Sequence, residues 1–217
     1  MKDWQSNHPK AKLMGQKRAA IITAARSTFL RLGYEGASME AIAAGAGVSI
    51  MTLYRHAESK DELFSAVIAR ACDPDDEAER AEYERLLRKP LREVLILTGM
   101  AFQERLADAE TVSLMRLVMG ETTRFPDLAR RAYQGFVGHL EEIVQAILAE
   151  KGESLHLDPQ TRRELSATFI DGLFGADMLR VLLGLGGASS AQRKERAERA
   201  SDKIMAAATR IPEQTIP

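Results

Sequence analysis

The stretch "GVSIMTLYRHAESKDEL", Gly47 to Leu63, contains two helix starts separated by only a few residues. Ser49 is a favourable N-cap, because a serine oxygen accepts a hydrogen bond from a free backbone N–H in the first turn of a helix. Ser59 and Glu62 have the spacing of a capping box, which predicts a second helix start. The glycines of the preceding "GAG" favour a turn, since glycine is costly inside helices and useful in turns. The stretch therefore predicts two short helices that follow a tight turn.

The residues before this stretch predict two more helices. From Gly15 onward, apolar side chains recur at helical spacing, at Ile22, Ala25, Phe29 and Leu32. Gly33 ends that helix, and Ser38 is the N-cap of a short second helix that ends at the glycines. The second and third helices, joined by a glycine-containing turn, have the layout of a helix-turn-helix. Such a unit places its second helix, here from Ser49 to about His56, in the major groove of DNA.

The side chains of this third helix divide into an inward and an outward set. Leu53 is spaced to pack inward, whereas Tyr54 and His56 lie near the helix end, where they can donate to phosphate oxygens. Lys60 stands in the first turn of the next helix, where a positive charge joins the free N–H groups that favour an anion. With the two N-cap serines, the predicted DNA-binding residues are Ser38, Ser49, Ile50, Met51, Thr52, Tyr54, Arg55, His56 and Lys60.

The segment "AIAAGAGVSIMTLYRHAESKDELF", Ala41 to Phe64, resembles the DNA-binding signature of TetR-type transcriptional repressors. The resemblance extends over about residues 17–70 and implies a helix-turn-helix domain followed by a larger helical domain that dimerises and holds a ligand. It also implies roles for single residues: Thr52, Tyr54, His56 and Lys60 at the DNA backbone, and Ile50, Met51 and Arg55 in the choice of operator sequence. Ala57 departs from the pattern, which usually has phenylalanine under the recognition helix. Losing a large apolar side chain from a core costs about 3–5 kcal/mol unless the space is refilled.

The rest of the chain also predicts helices and no strand, so the expected fold is all-α with about nine helices. The acidic "DPDD", Asp73 to Asp76, breaks the helical pattern and marks the predicted domain boundary. The expected organisation is a flexible N-terminal arm (1–14), a DNA-binding domain (15–72) and a dimerisation and ligand-binding domain (77–211). Helices of the last domain are expected over about 90–107, 110–121, 126–151, 158–183 and 190–210.

Composition and charge limit the functional classes. The 217 residues carry a net charge of −1, but residues 1–60 contain nine Lys or Arg and four Asp or Glu, so a basic N-terminal part precedes an acidic remainder. This asymmetry favours a polyanionic partner, although a solvated basic surface explains it equally well. Cys72 is the single cysteine, and no secretory signal or membrane span is evident, which predicts a cytoplasmic protein.

Known catalytic and metal-binding patterns are missing from the sequence. It contains no glycine-rich phosphate loop, no HExxH and no cysteine–histidine cluster, so we expect no catalytic residue, no metal and no cofactor.

A stripe of apolar and small residues in the last two helices supports the dimer that the resemblance implies. Its members are Leu165, Phe169, Gly172, Leu173, Ala176, Leu179, Ile204 and Met205. The alternative is that the stripe belongs to the internal core of one chain. A two-fold dimer sets its two reading helices about 34–36 Å apart, which demands a near-palindromic operator in double-stranded DNA.

Large apolar and aromatic residues are the candidates for a ligand pocket, with His139 as a polar partner. The predicted lining residues are Met100, Met115, Met119, Phe125, Tyr133, Phe136, His139 and Met178. Such residues at helical spacing are also typical of ordinary core. If they form a pocket, its ligand is an apolar or aromatic small molecule, since methionines adapt to irregular guests. A ligand that prefers a conformation with misplaced reading helices then releases the operator.

Two other classes of protein share these features. One is a helical ligand-binding protein or enzyme whose degenerate helix-turn-helix does not bind DNA. The other is a nucleoid-type protein that binds DNA without sequence preference. A specific regulator binds its operator about 10³–10⁷ times more tightly than random DNA, which separates it from both.

Overall fold

The computed structural model describes residues 9–72, 84–151 and 157–208. Within these ranges the regular structure is entirely helical, which confirms the predicted all-α class. None of the described helices is both long enough and apolar enough to cross a membrane. The described residues separate into two units, one formed by residues 9–72 with 113–132 and the other by 84–112 with 133–151 and 157–208.

The first unit begins with four helices. They are α1 (Pro9–Gly36), α2 (Met39–Gly45), α3 (Ile50–Tyr54) and α4 (Lys60–Cys72). The later helices of the chain are α5 (Leu91–Ala107), α6 (Ala109–Gly120), α7 (Pro126–Tyr133), α8 (His139–Lys151), α9 (Pro159–Phe174), α10 (Asp177–Leu182) and α11 (Ser190–Ala208). The division between the two units falls within α6 and again at the end of α7.

The helix α1 starts earlier than the sequence pattern predicts. Residues 9–14, expected in a flexible arm, belong to the first turns of the helix, and residues 1–8 lie outside the described part of the chain. The predicted stop at Gly33 is a local interruption: its backbone has φ 71° and ψ 175°, in the left-handed region that glycine enters without steric cost. Helical structure resumes after it and ends at Gly36.

The core of the first unit lies between α1 and the helices that follow. Ile21, Ala25 and Phe29 on one face of α1 are almost completely buried, as are Ile42 of α2 and Leu53 of α3. Phe64, Val67 and Ile68 bury the matching face of α4. The buried apolar face of α1 is thus the surface against which the helix-turn-helix packs.

Two helices that were predicted to be continuous are divided in the structure, so eleven α-helices are described rather than about nine. Between α7 and α8 the residues Gln134–Gly138 form a π-helical turn. The helix predicted over 158–183 breaks at Gly175, whose φ of 54° is incompatible with an α-helix. The guanidinium of Arg196 stabilises this break by donating to the carbonyls of Leu173 (3.3 Å) and Phe174 (3.4 Å) and by pairing with Asp177.

The core of the second unit is formed by α5, α9 and α11, which approach closely at glycines. A Cβ atom on Gly99 would lie 3.0 Å from Leu173 and 3.1 Å from Phe169, and one on Gly172 would lie 3.0 Å from the Cβ atom of Ala200. Gly172, a small residue of the predicted dimer stripe, therefore accommodates a helix of the same chain.

This packing corrects part of the predicted dimer interface. Leu165, Phe169, Leu173 and Ile204 are buried within the chain and have almost no surface left for a partner. Gly172 contacts Ala200, and Met205 is half-buried. Ala176 and Leu179 are exposed, and the side chain of Leu179 is 62% accessible. The alternative assignment to internal core therefore holds for the first half of the stripe, and its C-terminal end remains available.

Candidate nucleic-acid interface

The helix α3 is short and is anchored by one side chain. Leu53 is completely buried, and Ser49 holds the start of the helix by accepting a hydrogen bond from the Thr52 N–H at 3.2 Å. Because a five-residue helix is marginal on its own, this anchor and this cap fix its direction. The side chains that do not face the core then point away from it.

Two large side chains are exposed on α3. Met51 is 67% accessible and Tyr54 is 46% accessible, although both are residue types that are usually at least partly buried. Arg55, which ends the helix, is also exposed, and its Nε atom lies 3.4 Å from the carbonyl of Met51. An apolar thioether beside a phenol and a guanidinium can contact thymine methyl groups, phosphates and guanine edges, respectively.

The remaining predicted DNA-binding residues lie around this exposed surface. Ser38 and Ser49 are exposed N-caps, and Ser38 accepts from the Ala41 N–H at 3.1 Å. The hydroxyl groups of Ser49 and Thr52 are 2.9 Å apart. The side chains of Ile50, Thr52 and His56 are partly accessible.

Lys60 has a different environment from the predicted one. Its ammonium group donates to the carbonyls of Tyr34 (2.9 Å) and Ala37 (3.0 Å), with the carbonyl of Glu35 at 3.4 Å. These carbonyls belong to the C-terminal end of α1 and the turn after it, where a cation is electrostatically favoured. Lys60 therefore fastens the start of α4 to the end of α1 in this structure, and its predicted phosphate contact stays a prediction.

An aromatic cluster fastens a later part of the chain to the same unit. The rings of Tyr34 and Phe64 are packed with centroids 5.1 Å apart, and Phe125 lies 5.2 Å from the first and 5.5 Å from the second. Arg124 lies over the Tyr34 ring at 4.8 Å. Phe125, predicted to line a ligand pocket, is thus part of the DNA-binding unit, which explains why residues 113–132 belong to that unit rather than to the predicted second domain.

Charges surround this cluster. The guanidinium of Arg124 pairs with Glu35 at 2.8 Å and approaches Asp61 at 3.7 Å. The buried phenol of Tyr34 donates a hydrogen bond to the Asp61 carboxylate. Burial, reinforced by that hydrogen bond, raises the pKa of Tyr34 well above its ordinary value, so the phenol is neutral over the physiological range.

A crevice lies beside α3, the recognition helix, at the position where the TetR-type pattern has phenylalanine. Ala57 is buried, and a small crevice next to it, partly open to solvent, is also lined by Ile21, Ile22, His56 and Leu63. Phe64 does not refill this space, because its ring packs against Phe29 and Tyr34 instead. The missing aromatic ring therefore leaves a gap without displacing Leu53 from the core.

The predicted ligand-pocket residues are divided between the two units and differ in their exposure. Met119 and Tyr133 are exposed, Phe136 is buried in the core, and Met100 and Met115 are half-buried. The Nδ1 atom of His139 lies 3.9 Å from Glu142 on the same helix. Met178 does line a hollow of the second unit, together with Phe102, Gln103 and Phe174. Gln103 was missed in the sequence because an amide within an apolar helix gives no periodic signal.

The short capped helix, its exposed side chains and its buried anchor define a helix-turn-helix DNA-binding regulator. The family model described as "Bacterial regulatory proteins, tetR family" matches residues 21–67, and the model described as "AefR-like transcriptional repressor, C-terminal domain" matches residues 93–208. Together these matches extend over more than half of the chain. The protein belongs to the TetR family of transcriptional regulators.

Solved structures and a curated relative agree with this assignment. A TetR-family regulator from Mesorhizobium loti has a TM-score of 0.78 at 22% identity, with 89% of this chain and 97% of that chain covered, and shares the fold. Flavonoid-responsive Regulator FrrA has a TM-score of 0.66 at 26% identity, with the same coverage. The HTH-type transcriptional activator FasR of Mycolicibacterium smegmatis is 43% identical over 58 residues, which are 27% of this chain and only 26% of that protein.

Proposed function

We propose that this regulator binds a near-palindromic operator as a homodimer and represses transcription until a small apolar or aromatic ligand releases it. The observation that carries the proposal is the exposed surface of α3, where Met51 and Tyr54 project from a helix fixed by Leu53 and Ser49. Two large, partly apolar side chains exposed on such a short helix gain little in water. They gain contacts in a DNA groove.

A dimer is supported by exposed leucines at the end of the second unit. Leu179, Leu183 and Leu185 are each more than 60% accessible and lie within seven residues of one another, on α10 and the turn after it. Exposed clusters of large aliphatic side chains favour association. A second copy of the chain is the proposed occupant, since a two-fold axis brings identical patches together and pairs the two α3 helices with two half-sites.

Repression rather than activation is supported by the C-terminal match to an AefR-like repressor domain. The match to the activator FasR is 58 residues long, so it cannot include the whole of region 93–208. An aromatic effector is supported by the likeness to FrrA, which is described as flavonoid-responsive. These relations make release by an aromatic compound the most economical proposal.

The test of DNA binding separates phosphate contacts from base contacts. Operator DNA is selected from random duplexes by the protein itself, and affinity is then measured by fluorescence anisotropy at several salt concentrations. We expect Tyr54→Phe to weaken binding to all sequences alike and Met51→Ala to change the preferred base at one position of each half-site. Met119→Ala, at an exposed methionine of α6, is the control that should change neither.

Two results would contradict specific DNA binding, and a third would contradict the proposed dimer interface. Equal affinity for selected and random DNA indicates a non-specific binder, and no saturable binding indicates a degenerate helix-turn-helix. Dimerisation is tested by sedimentation of Leu179→Lys/Leu183→Lys, which we expect to be monomeric and to bind a half-site weakly. A double variant that remains dimeric places the interface elsewhere.

A further inference from the structure

A hollow with a distinctive chemistry lies in the second unit, between α5, the end of α9, α10 and α11. The hollow is partly open to solvent. Most of its wall is apolar: Phe102, Leu106, Leu173, Phe174, Met178 and Val181. The rings of Phe102 and Phe174 meet edge to face with their centroids 5.6 Å apart. Such a wall suits a flat aromatic guest, which can stack against or abut these rings.

Gln103 is a buried polar residue in this mostly apolar wall, and one of its side-chain atoms lacks a hydrogen-bond partner. Its side chain is 7% exposed, and its Nε2 atom donates to the carbonyls of Gly99 (3.1 Å) and Arg193 (2.9 Å). Two carbonyl partners fix the orientation of the amide, because the flipped amide would set its oxygen against both of them. The Oε1 atom is buried and has no hydrogen-bond partner among the described residues. Buried acceptors without a partner are rare in folded proteins, and a ligand that carries a donor would satisfy this one.

The charged residues at the hollow are engaged with the protein. Arg196 pairs with Asp177 and donates to the carbonyls at the end of α9. Arg193 donates to the carbonyl of Ala188 at 2.7 Å. The unsatisfied group is thus an acceptor, and an acceptor excludes the oxygen of an anionic ligand at that point.

From this combination we infer that the hollow binds a neutral aromatic compound whose hydroxyl group donates a hydrogen bond to Gln103 Oε1. The ligand class is therefore a phenol or naphthol. The site differs from the one predicted from the sequence, since only Met178 is common to both. In its regulatory part the inference rests on the proposed function: α10 lines the hollow with Met178 and Val181 and carries the exposed Leu179 of the proposed dimer interface. A ligand under α10 thereby acts on the helix that holds the dimer.

The test uses a pair of ligands that differ in the donor alone. Binding of 2-naphthol and of 2-methoxynaphthalene to the full chain is measured by calorimetry without DNA. We expect 2-naphthol to bind roughly tenfold more tightly, which is the ratio for one hydrogen bond to a buried acceptor. In Gln103→Met the two ligands should bind equally. Equal binding to the unmodified protein, or no binding of either ligand at millimolar concentration, overturns the inference.

A second variant covers the case in which Gln103→Met fails to fold. Met178→Trp fills the hollow from α10 and should abolish binding of both ligands. Met119→Trp makes the same change at an exposed methionine outside the hollow and should leave binding unchanged. Persistent binding to Met178→Trp also overturns the inference. If 2-naphthol binds as expected but does not release operator DNA, the site stands and the proposed ligand-induced release fails.

Discussion

Replacing Lys60 by methionine distinguishes its observed role from a phosphate contact. The change removes the ammonium group but keeps a long side chain, so the carbonyls of Tyr34 and Ala37 lose their donor at 2.9 and 3.0 Å. A hydrogen bond to a charged group contributes about 1.5–3 kcal/mol. Because one partly exposed ammonium serves both carbonyls, we take about 2 kcal/mol for the whole arrangement, including the favourable position at a helix C-terminus.

This loss is measurable by thermal unfolding. For a chain of this size each kcal/mol changes the midpoint by about 2–4 °C, so Lys60→Met should unfold about 4–8 °C lower. The salt dependence of operator affinity should be unchanged when it is measured well below that midpoint. Lys203→Met, at an exposed lysine of α11, is the matched control and should change neither quantity.

A changed salt dependence together with an unchanged unfolding midpoint would refute the structural role of Lys60. A phosphate contact predicts that the slope of log affinity against log salt becomes shallower by about 0.9. If Lys60→Met showed that change while its unfolding midpoint stayed with that of the control, Lys60 would be a DNA contact and its bonds to α1 would be incidental.

Three further predictions follow from the packing. The pKa of Tyr34 is raised, so its contribution to stability is complete below pH 10 and is lost as pH rises above it; absorbance at 295 nm should show one of the four tyrosines ionising only on unfolding, and that step should be absent in Tyr34→Phe. Ala57→Phe should refill the crevice beside α3 and raise the free energy of unfolding by about 1 kcal/mol, whereas a lower midpoint would mean that the space is closed to a ring. Gly172→Ala should lower that free energy by about 1–3 kcal/mol, because the added methyl meets Ala200 at 3.0 Å, and an unchanged midpoint would show that α11 can yield.

The helix-turn-helix was predictable because its signals are local. Ser38 and Ser49 cap the helices that they were expected to cap, and Ala25 and Phe29 of α1 face the core as predicted. Leu32, predicted on the same face, is 43% exposed. Later helix boundaries agree to within a few residues for the same reason: prolines and glycines act on their own neighbours. The exposed side chains of α3 could be predicted from helical spacing, because placing Leu53 inward determines which of its neighbours face outward.

What was missed depends on partners far away in sequence. Nothing in the sequence near Phe125 indicates that its ring packs on Tyr34 and Phe64. Nothing near Lys60 indicates that carbonyls some 25 residues earlier accept hydrogen bonds from its ammonium group. The stripe through Leu165 and Phe169 has the same pattern whether its partner is another helix of the chain or a second copy. Periodicity identifies the buried face of a helix but not the surface that covers it.

The first unit is assembled from two separate parts of the chain, and this limits how such regulators can be recombined. A fusion that joins residues 1–73 to a foreign effector domain omits Phe125 and Arg124 and leaves one side of the Tyr34 and Phe64 rings bare. A foreign effector domain therefore has to supply an aromatic side chain in place of Phe125 and a cation in place of Arg124. A biosensor that uses this DNA-binding unit therefore has to include both segments of the chain, or an equivalent contact to the Tyr34 and Phe64 rings.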